Sequence, residues 1–323
     1  MKTTAFVLFS GGLDSTLIVK IFEQQKNLRL SILTFKSYFF TADKALGIAE
    51  HYHWPVEVVD ISKEHFARVK NPDHGYGRGL NPCVDCKIVM LRKTKEIMEE
   101  RGGNSFAVTG EVIGQRPMSQ YKQALDLIER KSGLSGYLLR PLSAKLLPIT
   151  EPEKRGWVDR EKFFDFFGRS RNAQLNLAKQ LSADKFLAPA GGCILTEKFF
   201  SQRLKEQLAQ EIELSGNDLD ILKVGRHFSL PNMTDKIVLG RDKEENKKLE
   251  KLAREGDILL TLKDEPGPTG LLRFYLPKQS KSREDALVEE AKRLILHYSP
   301  KAESRACRGV EPNQKADFSL LRL

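Results

Sequence analysis

The chain has 323 residues, 30% of them charged and 40% hydrophobic, with a formal net charge of +10. That length suggests two domains with ample core, and the composition is that of a soluble globular protein. No apolar run approaches the ~18 residues of a membrane span, and the N-terminus reads straight into a strand without a signal peptide, so a cytoplasmic protein with no membrane partner is expected.

The charge is unevenly placed. Residues 206–323 carry 21 Lys and Arg against 21 Asp and Glu, whereas residues 1–205 carry 32 against 22. A basic N-terminal part suits a polyanion such as RNA, although ATP alone accounts for some of it.

In chain order, TTAFVLFS (3–10) reads as a buried strand and Leu13–Gln25 as a helix. LRLSILTF (28–35) is a second strand, TADKALGIAEHYHW a helix and PVEVVD (55–60) a third strand. A Gly-rich stretch from residue 71 interrupts the pattern before helical spacing returns in IVMLRKTKEIMEER, and SFAVTG (105–110) is a fourth strand. This alternation predicts an α/β fold, a doubly wound parallel sheet with right-handed crossovers. Residues 150–190 read as helical and basic, and TEKFFSQRLKEQLAQEIE as a long helix. Near residue 213 short strands (GRHFSL, DKIVLGRD, DILLTL, LLRFYL) begin to alternate with two helices, which predicts a smaller α+β domain. The expected domains are therefore 1–205 and 213–323, with residues 303–323 an extra strand or a tail.

Between the first strand and helix lie Ser10, Gly11, Gly12, Asp14, Ser15 and Thr16. A turn of small residues lets backbone N–H groups face an anion, and the following helix points its positive end at it. The glycines permit positive φ and the hydroxyls add donors. The turn lacks the Lys of a Walker loop and the G-x-G-x-x-G of a dinucleotide fingerprint. Ligands of such sheets bind beyond the carboxyl ends of the strands, so Ser10–Thr16 and Thr109–Gln115 are expected to flank one pocket.

Ser-Gly-Gly-x-Asp-Ser resembles the PP-loop of the adenine-nucleotide alpha hydrolase superfamily, whose members cleave ATP between its alpha and beta phosphates. VTGEVIGQRPMSQ (108–120) resembles the TGE-x-x-GQ-x-x-SQ segment of tRNA 4-thiouridine synthases. The resemblance covers roughly residues 1–200. It implies ATP and Mg²⁺ as ligands, with Thr109, Gly110, Glu111, Gln115, Ser119 and Gln120 beside the nucleotide and catalytic pocket. Those enzymes carry RNA-binding modules ahead of the PP-loop; here the PP-loop comes first. The C-terminal part is similar instead to an NFACT-type RNA-binding domain, through VGRHFSL, IVLGRDKEENKKLEKLA and GDILLTLKDEPGPTGLL.

The four cysteines are Cys83, Cys86, Cys193 and Cys307. Without a signal peptide they suit metal or catalytic work better than structural disulfides. Cys83 and Cys86 form a Cys-x-x-Cys pair, and Cys193 follows a Gly-Gly turn. Three thiolates from one pocket can hold a 4Fe–4S cluster with one iron left without a protein ligand, and the spacing resembles that of cluster-dependent tRNA thiolases. Two alternatives stay open: structural zinc, which would normally want a fourth ligand, and a cysteine pair carrying sulfur as a persulfide.

The resemblance thus implies an ATP-dependent tRNA sulfurtransferase with Asp14, Glu111, Cys83, Cys86 and Cys193 in catalytic roles. Its expected partners are tRNA and a sulfur donor (sulfide or a sulfur-carrying protein), with a homodimer left open. An adenylating amidotransferase or synthetase of the same fold and a non-catalytic RNA-binding factor are the rival readings. Arg116, Arg140 and Lys145 are candidates to face phosphates. His51 and His53 read as surface or core filler, FFDFF (163–167) as mostly core, and GRSRNAQ (168–174) as an RNA candidate.

Overall fold

The computed structural model describes residues 2–188, 193–229, 234–263, 265–275, 281–299 and 318–322. The chain divides into two units, 1–197 and 198–323. The division falls ahead of the expected boundary because the helix at Lys198–Leu208 belongs to the second unit, taking Lys198, Arg203 and Lys205 with it.

In the first unit, strand β1 (Thr3–Leu8) buries Ala5, Phe6 and Val7 in succession, as a central parallel strand covered on both faces must. It is followed by α1 (Leu13–Glu23), β2 (Leu28–Lys36), α2 (Asp43–His51), β3 (Val56–Asp60), α3 (Ser62–Lys70), α4 (Cys83–Arg101), β4 (Ser105–Val108), α5 (Lys122–Ser132) and the two-residue β5 (Leu138–Leu139). The sheet order is β3-β2-β1-β4-β5, with every pair parallel. Val7 lies in register with Ile32 on one side and Val108 on the other. The strand order reverses between β1 and β4, so the switch-point crevice opens where Ser10–Thr16 and Thr109–Gln115 leave their strands.

The stretch 150–190 is less helical than its spacing suggests. It contains α6 (Glu151–Lys154), a 3-10 turn at Arg160–Lys162 and α7 (Asn172–Gln180). Gly156 and Gly168 take φ of +64° and +84°, conformations that break a helix, and Phe163 turns into the core between them.

The second unit comprises α8 (Lys198–Leu208), α9 (Gly216–Ile221), β6 (Arg226–Phe228), β7 (Lys236–Leu239), α10 (Lys243–Leu252), β8 (Ile258–Leu262), β9 (Gly270–Arg273), α11 (Lys281–His297) and β10 (Phe318–Arg322). Its sheet is antiparallel in the order β10-β8-β9-β7-β6. Side chains alternate between faces: Ile237, Leu239, Leu260 and Leu272 pack on Leu287, Ala291 and Ile295 of α11, while Val238, Leu259 and Leu271 pack on Ile221 and Leu249. Arg273 is fully buried and pairs with Asp218 (2.7 Å) and Asp257 (2.6 Å), which ties β9 to α9 and to the start of β8. The chain's end pairs with β8, Leu320 opposite Leu260, so the strand alternative for the tail is the one observed. Among the described residues no helix is long and apolar enough to cross a membrane.

Candidate nucleotide and thiol site

At the end of β1, Gly11 takes φ +73°, and a Cβ there would sit 3.0 Å from the Ala45 Cα, so both conformation and space require glycine. Gly12 precedes α1 without a side-chain cap, which leaves the first N–H groups of α1 to an anion. The Ser15 hydroxyl donates to the Gly12 carbonyl at 2.9 Å and lies 3.2 Å from both the N–H and Oγ of Ser10. The two serines therefore hold the turn's shape from inside.

Thr109–Gln115 rests directly on this turn. A Cβ at Gly110 would meet the Asp14 carbonyl carbon at 2.7 Å and its oxygen at 2.8 Å. Gln115 donates Nε2 to Asp14 Oδ2 (2.7 Å), and Gln174 of α7 donates Nε2 to Gln115 Oε1 (3.1 Å). Burial pushes the Asp14 carboxyl up, opposed by Gln115, Arg171 and Arg116. Three buried oxygens here have no protein partner: Asp14 Oδ1, Thr16 Oγ1 and Gln174 Oε1. The sequence placed Gln174 only at the end of the RNA candidate GRSRNAQ, not beside the nucleotide turn; in the fold its amide is almost wholly buried on α7, next to the apolar Leu177 and Ala178.

Glu111 is engaged on every side. Lys87 donates to its Oε1, Arg140 Nε to its Oε2 at 3.0 Å, and the Thr109 hydroxyl reaches Oε2 at 3.2 Å. Burial alone would raise this carboxyl, but Lys87 and Arg140 outweigh it and hold it at about 2. Glu111 therefore stays ionised at neutral pH and acts as an anchor between α4 and β5. The expectation that Arg140 faces phosphates is corrected: it is buried, bonded to Glu111, to Glu129 (2.7 Å) and to the Leu125 carbonyl. Lys145 is engaged by Glu161 at 3.4 Å. Arg116 is exposed, and its charge acts on both Asp14 and Cys83. Ser119 and Gln120 are buried. The Ser119 carbonyl accepts from Lys87 at 3.3 Å, and the Gln120 carbonyl from the Gly114 N–H at 2.8 Å.

Cys83 and Cys86 open α4, and the Cys86 N–H donates to the Pro82 carbonyl at 2.8 Å. Between them the buried Asp85 carboxylate accepts from the backbone N–H of His74 (3.1 Å) and contacts its Nδ1 (2.8 Å), fastening the Gly-rich loop to the helix. Leu80 of that loop donates its N–H to the Leu195 carbonyl at 3.0 Å, and the Cys193 carbonyl accepts from the Thr196 N–H and hydroxyl. The loop and the Cys193 segment are thereby joined. All three thiols are free and half-buried. Burial pushes each up; Cys193 and Cys83 push Cys86 up further, and Cys83 does the same to Cys193. They thus share one neighbourhood, although among the described residues no group of three His, Cys, Asp or Glu side chains is close enough to hold one metal ion. Cys307 and the Gly191–Gly192 turn lie outside the described residues.

The profile of the family described as NFACT protein RNA binding domain matches residues 225–317. No curated protein matches the chain. Of the many solved structures that match, three align as follows. A predicted subunit of tRNA methyltransferase from Methanocaldococcus jannaschii is 11% identical, over 56% of this chain and 76% of that one, with a TM-score of 0.36. The U34-tRNA thiolase NcsA from Methanococcus maripaludis, solved with its [4Fe-4S] cluster, is 16% identical, over 66% and 74%, with a TM-score of 0.31. The C-terminal part of the fibronectin/fibrinogen-binding protein from Streptococcus suis is 11% identical, over 74% and 75%, with a TM-score of 0.24. Overlap at this level carries no residue's role from one protein to another.

Proposed function

We propose that the chain is an ATP-dependent tRNA sulfurtransferase, which adenylates a uridine carbonyl oxygen and replaces it with sulfur. The observation that supports this best is the juxtaposition, within one unit, of a glycine turn at the open N-terminus of α1 and three free thiols, with Arg116 acting on Asp14 and on Cys83. An amidotransferase or synthetase acting on a small carboxylate has no use for three thiols so placed.

A carbonyl oxygen is a poor leaving group; joined to AMP it becomes a good one. In this reading Gly11, Gly12 and the start of α1 receive the phosphates, Ser10 and Ser15 keep the turn in shape, and Gly110 lets the second loop close over Asp14. The buried, unpartnered Asp14 Oδ1 fits an oxygen-seeking cation such as Mg²⁺, which would offset phosphate charge during adenylation. Arg116 would face the charge that develops as pyrophosphate leaves. Glu111 fixes Lys87 one residue beyond Cys86, keeping a cation near the thiols.

Three soft sulfur donors suit a 4Fe–4S cluster, which Cys83, Cys86 and Cys193 would hold and which would supply an iron without a protein ligand to carry the incoming sulfur. Three neighbouring thiols, each raised by burial and two of them, Cys86 and Cys193, also by another thiol, favour their ionised form only where a cation offsets their charge, which agrees with that donor set. The partners in this reading are tRNA, recognised in part by the C-terminal unit, and sulfide or a sulfur-carrying protein.

The testing experiment incubates the anaerobically purified chain with ATP and tRNA and separates the nucleotide products. AMP and pyrophosphate that depend on tRNA support the reading; ADP and phosphate, or turnover indifferent to tRNA, refute it.

A further inference from the structure

We propose that Phe167, Arg169, Arg171 and Arg116 form an RNA-docking lip, on which one unpaired nucleobase stacks while the arginines take the flanking phosphates. This rests on the sulfurtransferase reading and says where its nucleic acid is held.

The run Phe163–Phe167 does not act as a unit. Phe163 is buried in the core, and Phe164 and Phe166 are partly buried against it with ring centres 4.9 Å apart. Phe167 is 70% exposed. Its backbone is nevertheless fixed: it forms a parallel bridge with Ile113, and the next residue, Gly168, donates its N–H to the Ile113 carbonyl at 2.7 Å. The Phe167 ring lies over Gly114, with Cε2 3.5 Å from the point a Cβ would occupy there. Gly114 immediately precedes Gln115, whose amide holds Asp14. An aromatic ring is thus kept in water on a rigid backbone, one residue from the group that holds the nucleotide-site carboxylate. Leaving a large apolar side chain exposed forgoes the free energy of burying it. A stacking partner recovers that contact, and a fixed backbone lowers the ordering cost of making it.

The cations complete the pattern. Arg169 is exposed two residues after Phe167, and Arg171 stands at the N-terminal boundary of α7 without bonding its first N–H groups. The charges of Arg171 and Arg116 both act on Asp14, and that of Arg116 also on Cys83. Among the described residues none of these three arginines is ion-paired. A groove of about 900 Å³ runs along α7 past Asn172, Leu175, Asn176 and Lys179 to Asp184 and Phe186. An exposed ring among unpaired guanidinium groups fits unpaired RNA, whose bases stack on aromatic faces and whose phosphates seek Arg. An acidic polypeptide would use the arginines and leave the ring without a partner.

The test uses the full chain without ATP and a single-stranded oligoribonucleotide containing 2-aminopurine, so its outcome does not depend on whether the chain thiolates RNA. The expected result is quenched fluorescence on binding. Phe167→Ala and Phe167→Leu should each remove the quenching and weaken binding about tenfold; the leucine keeps the apolar cover over Gly114 and so guards against misfolding. The double variant Arg169→Ser, Arg171→Ser should reduce the slope of log affinity against log salt by about 1.4, roughly 0.7 for each lost phosphate contact on a single strand. Quenching and affinity unchanged in both Phe167 variants would overturn the proposal, as would wild-type binding without quenching. Displacement of the RNA by polyglutamate at equal charge concentration would also overturn it, marking the lip as a surface for acidic polypeptides.

Discussion

Leu187 donates its backbone N–H to the carbonyl of Gly11 across 2.7 Å, and the two segments form a parallel bridge at Gly12. The Leu187 side chain also fills the space beside Gly11, its Cδ1 3.2 Å from where a Cβ would stand. The stretch that leads to Cys193 therefore begins on the Ser10–Thr16 turn. Nucleotide binding at the turn is expected to change the alkylation rate of Cys193 in metal-free protein more than that of Cys83. Leu187→Pro, which lacks the donor, should abolish that dependence. Mass spectrometry of the alkylated peptides with and without a non-hydrolysable ATP analogue reads both, and equal effects on the two cysteines would exclude the coupling.

Asp14 is held in a place that its charge opposes. Its carboxyl is raised by burial, so the folded chain binds this proton more tightly than the unfolded chain does. The stability that the protonated form lends is present at low pH and is lost as pH rises through the raised value. Asp14→Asn should consequently leave the melting temperature at neutral pH unchanged or higher, since the amide still accepts from Gln115 and carries no buried charge. The same variant should lose ATP turnover. A large drop in melting temperature would show that the carboxylate is structural.

Glu111 behaves in the opposite way. Its folded carboxyl, at about 2, lies below the ordinary carboxylate value near 4.5, so the stability it contributes is fully present above about pH 4.5 and is lost as pH falls toward 2. Glu111→Gln strands Lys87 and the buried Arg140, and breaking a buried pair in this way costs about 3–5 kcal/mol. Denaturant melts of the variant and wild type should differ most near neutral pH and converge in acid. A difference that persists unchanged at pH 2.5 would contradict the assignment.

Each of Cys83→Ser, Cys86→Ser and Cys193→Ser should lower the iron content of anaerobically purified protein and its broad visible absorption, whereas Cys307→Ser should not. Equal dependence on Cys307 would point to a four-cysteine site, and a colourless wild-type protein containing zinc would replace the cluster altogether.

What the sequence disclosed was local. The end of β1, the Ser10–Thr16 turn and α1 follow one another within some twenty residues, and the spacing of TGE-x-x-GQ is likewise a matter of neighbours. What it hid depends on distant partners. Arg140 reads as a free cation until Glu111 and Glu129 are seen on either side of it. Gln174 gains its meaning from Gln115, far away in the chain. The run 150–190 has helical spacing, yet glycines at positive φ and the burial of Phe163 break it into short pieces. Phe167 differs from its phenylalanine neighbours only through the bridge to Ile113, which no spacing rule reveals.

In the proposed reaction sulfur enters RNA at the expense of ATP. The most direct measurement supplies labelled sulfide and ATP to the anaerobic protein with unmodified tRNA, digests the RNA to nucleosides and follows the label by mass spectrometry. The expected product is a thiolated uridine that accumulates in step with AMP and disappears with Asp14→Asn. Labelled nucleoside formed without ATP, or AMP formed with no sulfur in the RNA, would contradict the proposed reaction.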